Sequence, residues 1–197
     1  LICEQQRPAI GSEFYGDLPA WTALTGADRH SMSQDPLFAD AVRGDFHPRS
    51  TQGRFVSGIW TNDAVLSPLV DAGAPGWPAD REPAPNGGII NIGAYGNTPE
   101  SSMTQTNPPW LRVVSYNSGG TMAGNVLLYW LHGGMPPDAK VSLEYSTDLM
   151  LSWTTIATNL SAASREYPWD VSGLPLSLNL NWRVVYEGNT NVWDFSD

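Results

Sequence analysis

Six residues in the first third of the chain have the types that acid–base chemistry on a glycosidic polymer needs: Asp35, Asp40, Asp45, His47, Arg49 and Asp63. Such chemistry pairs a proton donor or acceptor with a group that stabilises charge in the transition state. Each also has a simpler structural reading. Asp35 precedes Pro36, where an aspartate initiates a turn. Asp45 follows Gly44 in a turn, and His47 precedes Pro48 at a strand edge. The structural reading is preferred, so no residue is assigned a catalytic role. Metal ligation fares no better: His30, His47 and His132 share no ligand spacing, and Cys3 is the only cysteine. Aspartates with backbone carbonyls suit Ca2+, yet no Asp-x-Asp-x-Asp-Gly loop is present and no ligand set can be named. Gly119-Gly120 and Gly133-Gly134 sit in hairpin-like contexts, which excludes a dinucleotide loop, and there is no Gly-x-Ser-x-Gly elbow. No cofactor is expected.

The 197 residues carry a formal net charge of −10, with Lys140 the single lysine. An acidic surface repels phosphates, which argues against nucleic acid as a partner. No stretch reaches the ~20 apolar residues of a membrane span. Nine tryptophans, seven tyrosines, 19 glycines and 16 prolines describe a folded chain of short strands and many turns. One cysteine permits no internal disulfide; Cys3 follows Leu1-Ile2, but the bulk of Ile2 argues against a lipidation signal.

The elements that must hold these residues change rhythm along the chain. Asp17 to Gly26 predicts a short helix, with Asp17 as cap, Pro19 in the first turn and Gly26 at the exit. Leu18, Trp21 and Leu24 or Thr25 would share its buried face. Apolar pieces up to about Glu100 are short and broken by Gly, Pro, Asp and Asn, as in a solenoid. Within Ile89-Ile90-Asn91-Ile92, an inward Asn91 is expected to satisfy its amide in a structural role. Residues 101–109 are polar and end in Pro108-Pro109, a linker composition. From Trp110 the period becomes two, with strands expected near 111–116, 126–131, 141–145, 153–157 and 182–186, and a thin last one near 191–194.

Two resemblances follow. Leu18, Trp21, Thr25 and Gly26, then Asp35-Pro36-Leu37-Phe38, Ser67-Pro68 and Asn86-Gly87-Gly88 through Gly93, come in the order found at the end of bacterial secreted right-handed parallel β-helix proteins of the pectate-lyase-like architecture. Leu69 stands where that family usually has cysteine, and Ile89 where it usually has arginine. The resemblance implies a cap made of turn residues and an active site, if any, in coils upstream. Ser146, Asp148, Ser152 and Trp153 resemble an Asp-box, a structural hairpin element, with Met150 in place of its glycine. The surrounding strands resemble an Ig-like or fibronectin-type-III-like sandwich.

The expected architecture is therefore all-β: residues 1–100 as terminal coil and cap of a parallel β-helix, 101–109 as linker, and 110–197 as a sandwich incomplete at its end. The expected function is a non-catalytic structural and interaction portion of a secreted, cell-surface or periplasmic protein. Its partner would be another protein chain or a surface polymer, within a larger assembly. The alternatives are the accessory tail of a polysaccharide-degrading enzyme, and a carbohydrate-binding module using exposed tryptophans.

Overall fold

The computed structural model describes residues 9–10, 13–14, 18–117 and 121–196. Expectations for Leu1 to Cys3, for Asp17 as a cap and for Gly119-Gly120 as a turn lie outside these residues. The chain is mostly β, with one α-helix and small antiparallel sheets. It divides into two compact units, Gln34–Pro109 and a second in which the segment ending at Ser33 joins Trp110 onward.

The opening segment holds a two-residue hairpin, β1 (Ala9–Ile10) with β2 (Glu13–Phe14), and then α1 (Leu18–Thr25). The helix stops at Gly26, whose φ of 69° suits a residue without Cβ and whose N–H closes on the Thr22 carbonyl. Leu18, Trp21 and Thr25 are half-buried while Leu24 faces solvent, which settles the face that the three-residue spacing left open.

The first unit begins with two antiparallel hairpins. β3 (Phe38–Asp40) pairs with β4 (Asp45–Pro48), and β5 (Arg54–Val56) pairs with β6 (Ile59–Thr61). Ser57 and Gly58 both have positive φ, the requirement of a tight two-residue hairpin turn. No parallel strand pair occurs among the described residues.

Beyond Thr61 this unit has no strands, and side chains do the work of a ladder. Asn91 is its hub. Its Oδ1 accepts the Asp71 N–H at 2.7 Å, its Nδ2 donates to Ser101 Oγ at 2.8 Å and the Ser102 carbonyl at 2.7 Å, and its own N–H reaches Glu82 Oε1 at 2.8 Å. Fully buried Asp71 accepts from Thr104 Oγ1 and from the Gly87 N–H. A Cβ on Gly87 would stand 2.5 Å from the Asp71 carboxyl carbon, so only glycine fits there. Buried polar groups cost little when each finds a partner. The inward Asn91 is thus satisfied, by loops rather than by a stacked ladder.

Residues 101–109 are not a solvated linker throughout. Ser101, Ser102 and Thr104 are buried, Ser102 Oγ donates to the Pro48 carbonyl at 2.6 Å, and the Met103 N–H donates to the Gly53 carbonyl at 2.8 Å. The same polarity that suggests a linker supplies the hydrogen bonds of the interior. The segment expected to open the β-helix region, up to Ser33, clusters instead with the second unit.

The second unit has seven main strands: β7 (Trp110–Val113), β8 (Asn125–Gly133), β9 (Lys140–Ser146), β10 (Thr154–Ser161), β11 (Glu166–Asp170), β12 (Asn181–Tyr186) and β13 (Trp193–Phe195). They form two antiparallel sheets, β11-β8-β7 and β10-β9-β12-β13. Alternate residues of both sheets enter one core: Val126, Leu128 and Trp130 from β8, Val141 and Leu143 from β9, Trp182 and Val184 from β12. Both core tryptophans are fully buried and keep a partner for the indole N–H. Trp130 donates to the Ala162 carbonyl at 3.2 Å and Trp182 to the Ser115 carbonyl at 3.0 Å.

Candidate functional site

β4 sets Asp45 and His47 two residues apart, hence on one face of the strand. Asp45 Oδ1 accepts the His47 N–H at 3.1 Å and lies 2.6 Å from Nδ1. An ionised carboxylate only accepts, so Nδ1 carries a proton and Nε2 is the ring nitrogen left to act as a base. Burial works to raise the Asp45 pKa, but the hydrogen bonds from His47 and the charges of His47 and Arg54 outweigh it and hold the carboxyl below its usual value.

This is the geometry of a base oriented by an acid, closed on its working side. The His47 ring stacks on Tyr95 with centroids 3.4 Å apart, and Glu100 Oε2 stands 3.9 Å from Nε2. His47 is 8% exposed, and Nε2 is buried without a hydrogen bond. A general base must come within about 3 Å of the proton it takes. No substrate reaches Nε2 in this arrangement.

Arg54 on β5 ties the cluster to the loop after β6. Its Nη1 donates to Asp45 Oδ2 at 3.2 Å, while Nε and Nη2 donate to the two oxygens of Asp63 at 2.9 and 3.1 Å. The two-pronged bond to Asp63 raises the Arg54 pKa further. Asp63 also accepts the Ser50 N–H at 2.9 Å.

The structure thus brings together Asp45, His47 and Asp63 and adds Arg54, Tyr95 and Glu100, which the sequence did not single out. Asp35, Asp40 and Arg49 serve elsewhere. Asp35 accepts the Leu37 N–H at 2.9 Å in a turn, Asp40 caps a 3-10 turn through the Arg43 N–H at 3.2 Å, and Arg49 donates to the Ala39 carbonyl at 3.3 Å.

The turn from Ser146 to Ser152 closes on Asp148. Asp148 accepts from Ser146 Oγ at 2.7 Å, the Ser152 N–H at 3.0 Å and Ser152 Oγ at 2.6 Å. The Ser152 hydroxyl and N–H bonds pull its pKa down to about 2. Met150 takes φ 64° in the place of the usual glycine, with Leu149 at 61° before it. Trp153 lies under the Arg183 guanidinium, 4.3 Å from ring centre to Cζ, and Arg183 pairs across the strands with Glu144 at 2.6 Å.

No protein-family model, curated protein or solved structure matches this chain.

Among the described residues no group of three or more His, Cys, Asp or Glu side chains is placed to hold a metal, and no helix is long and apolar enough to cross a membrane. His30 lies 3.2 Å from Glu166 and edge-on to Tyr129. His132 is enclosed on β8 with both ring nitrogens unpartnered, and burial, helped by the Arg165 charge, pushes its pKa down to about 4. Of the tryptophans, Trp60 and Trp77 of the first unit and Trp193 of the second are exposed.

Proposed function

We propose that the chain is a non-catalytic structural and interaction portion of a secreted or cell-surface protein. Its first unit closes the end of a right-handed parallel β-helix, and its second presents an Ig-like or fibronectin-type-III-like sandwich to another chain or a surface polymer. The observation that carries the non-catalytic part is the enclosure of His47 between Asp45, Tyr95 and Glu100. The groups best suited to acid–base work bind the chain to itself.

Support for the cap comes from the ordered motifs, whose polar positions hold turns and loops. Ser67 Oγ donates to the Pro36 carbonyl at 2.6 Å, joining two motif segments directly. A cap covers strand edges that would otherwise recruit other chains. Support for the sandwich comes from the strand order. First, second and fifth strands make one sheet and the other four the second, as in sandwiches where one strand changes sheet.

The test pairs two measurements. Purified protein incubated with neutral and acidic polysaccharides should release neither reducing ends nor unsaturated products. Material from the native source should run in mass photometry as a complex with another chain. Depolymerisation that disappears in His47→Ala, or a free monomer only, overturns the reading.

A further inference from the structure

We infer that the second unit holds a binding site for one neutral sugar residue, in the cavity between the α1 segment and the connection from β7 to β8. The cavity measures about 250 Å³ and is lined from three sides. α1 and the loop after it contribute Leu18, Asp28 and Arg29, the β7–β8 connection contributes Tyr116, and the start of β8 contributes Asn125. Pockets for drug-sized ligands run from about 300 Å³ upward, so this one suits a single ring of about a dozen heavy atoms.

Its polar groups are fixed before a ligand arrives. Asp28 Oδ2 accepts the Trp21 indole N–H at 2.7 Å and Oδ1 takes the Ser31 hydroxyl at 3.3 Å, which locks the carboxylate. Arg29 Nε donates to the Gly26 carbonyl at 3.0 Å, which sets the plane of the guanidinium. A locked acceptor and a locked donor side by side lower the ordering cost of binding. Together they carry no net charge, so the site attracts neither an anion nor a cation. The overall charge of −10 further disfavours acidic polymers.

Tyr116 supplies the apolar platform. It is held at φ 58°, a left-handed conformation that a bulky residue adopts only when its surroundings impose it. Burial pushes its phenol pKa up and Arg29 acts against that, so the hydroxyl stays protonated beside the guanidinium. Tyr116 and Asn125 line the cavity, where the phenol hydroxyl and the side-chain amide can meet a ligand. Leu127 and its cross-strand partner Pro168 offer carbon surface on the Asn125 face of the sheet. Carbon faces beside paired donors and acceptors match a pyranose, whose rings have C–H faces and a hydroxyl edge. Trp60, Trp77 and Trp193 are not among the residues that line it.

The test is saturation-transfer NMR on the whole chain with the methyl glycosides of glucose, galactose, mannose and N-acetylglucosamine. Galacturonate and leucine serve as the anionic and zwitterionic comparisons. At least one glycoside should bind with a dissociation constant on the order of 1 mM. Ala123→Phe, which fills the cavity, and Asn125→Leu, which removes the amide, should each weaken it about tenfold or more, with unchanged circular dichroism. No transfer from any glycoside, equal binding in both folded variants, or tighter binding of galacturonate or leucine overturns the inference. Any of these leaves the non-catalytic reading of the His47 cluster standing, because that rests on different residues in the other unit.

Discussion

Acidification from pH 7.5 to 5.0 should destabilise the second unit through His132. In the folded chain burial holds this imidazole neutral down to about pH 4, whereas in the unfolded chain it titrates at its ordinary 6.5. The unfolded state therefore binds the extra proton in the window between these values. The depressed folded pKa makes the contribution complete above pH 6.5 and lost as the pH falls toward 4. At about 1.4 kcal/mol per pH unit the whole window is worth about 3 kcal/mol, of which about 2 kcal/mol falls between pH 7.5 and 5.0. Urea unfolding followed by the fluorescence of the buried Trp130 and Trp182 reads the stability of the same unit. His132→Leu carries no titrating group and removes two unpartnered ring nitrogens. It should be at least as stable as the wild type at pH 7.5 and lose about 2 kcal/mol less on acidification. His30 and His47 are present in both proteins, so the difference isolates His132. Equal losses in the two proteins, or an NMR titration of the His132 ring near pH 6.5 in the folded state, would refute the reasoning.

Three further outcomes follow from the described contacts. Arg54→Met leaves the half-buried Asp45 and Asp63 without their cation and should cost about 3 kcal/mol, part of it recovered on mild acidification as a carboxylate protonates; chemical denaturation at two pH values checks it. Asn91→Leu strips partners from the buried Asp71 N–H and from buried Ser101 and should cost about 3 kcal/mol, read from the loss of amide-exchange protection at Asp71. Met150→Gly relieves a left-handed backbone in the Asp148 turn and should raise stability by about 0.5–1 kcal/mol, seen as a higher melting temperature; a lower one refutes the strain assigned to φ 64°.

What the sequence revealed depended on how local its physical cause was. Pro19 and Gly26 punctuate the helix because they act within one turn, and it runs over Leu18–Thr25. Period-two alternation identified β8, β9 and β12, whose inward residues are the core. β11 escaped notice because Pro168 interrupts its pattern. The strand tolerates it by lying at the edge of its sheet, where a missing N–H goes unused. β7 ends at Val113, short of the expected 116, where Val114 and Ser115 both turn their N–H groups to the Tyr129 carbonyl. In the His47 cluster, Asp45 was legible because it is two residues away on one strand. Arg54, Tyr95 and Glu100 were not, since only hairpin pairing and the return of the chain bring them back. The polar run after residue 100 misled for a related reason: composition reports polarity, and only the tertiary fold decides whether water or protein satisfies it.

The loops gathered around Asn91 have a consequence for heat capacity. Exposure of apolar surface on unfolding raises the heat capacity, and exposure of polar surface lowers it. The first unit buries serines, threonines, carboxylates and an amide where the second buries tryptophans and branched aliphatics. Residue for residue, the first unit therefore unfolds with the smaller heat-capacity increment. Its stability curve is the flatter of the two, changing less between cold and warm surroundings, so temperature acts most strongly on the tryptophan-cored unit.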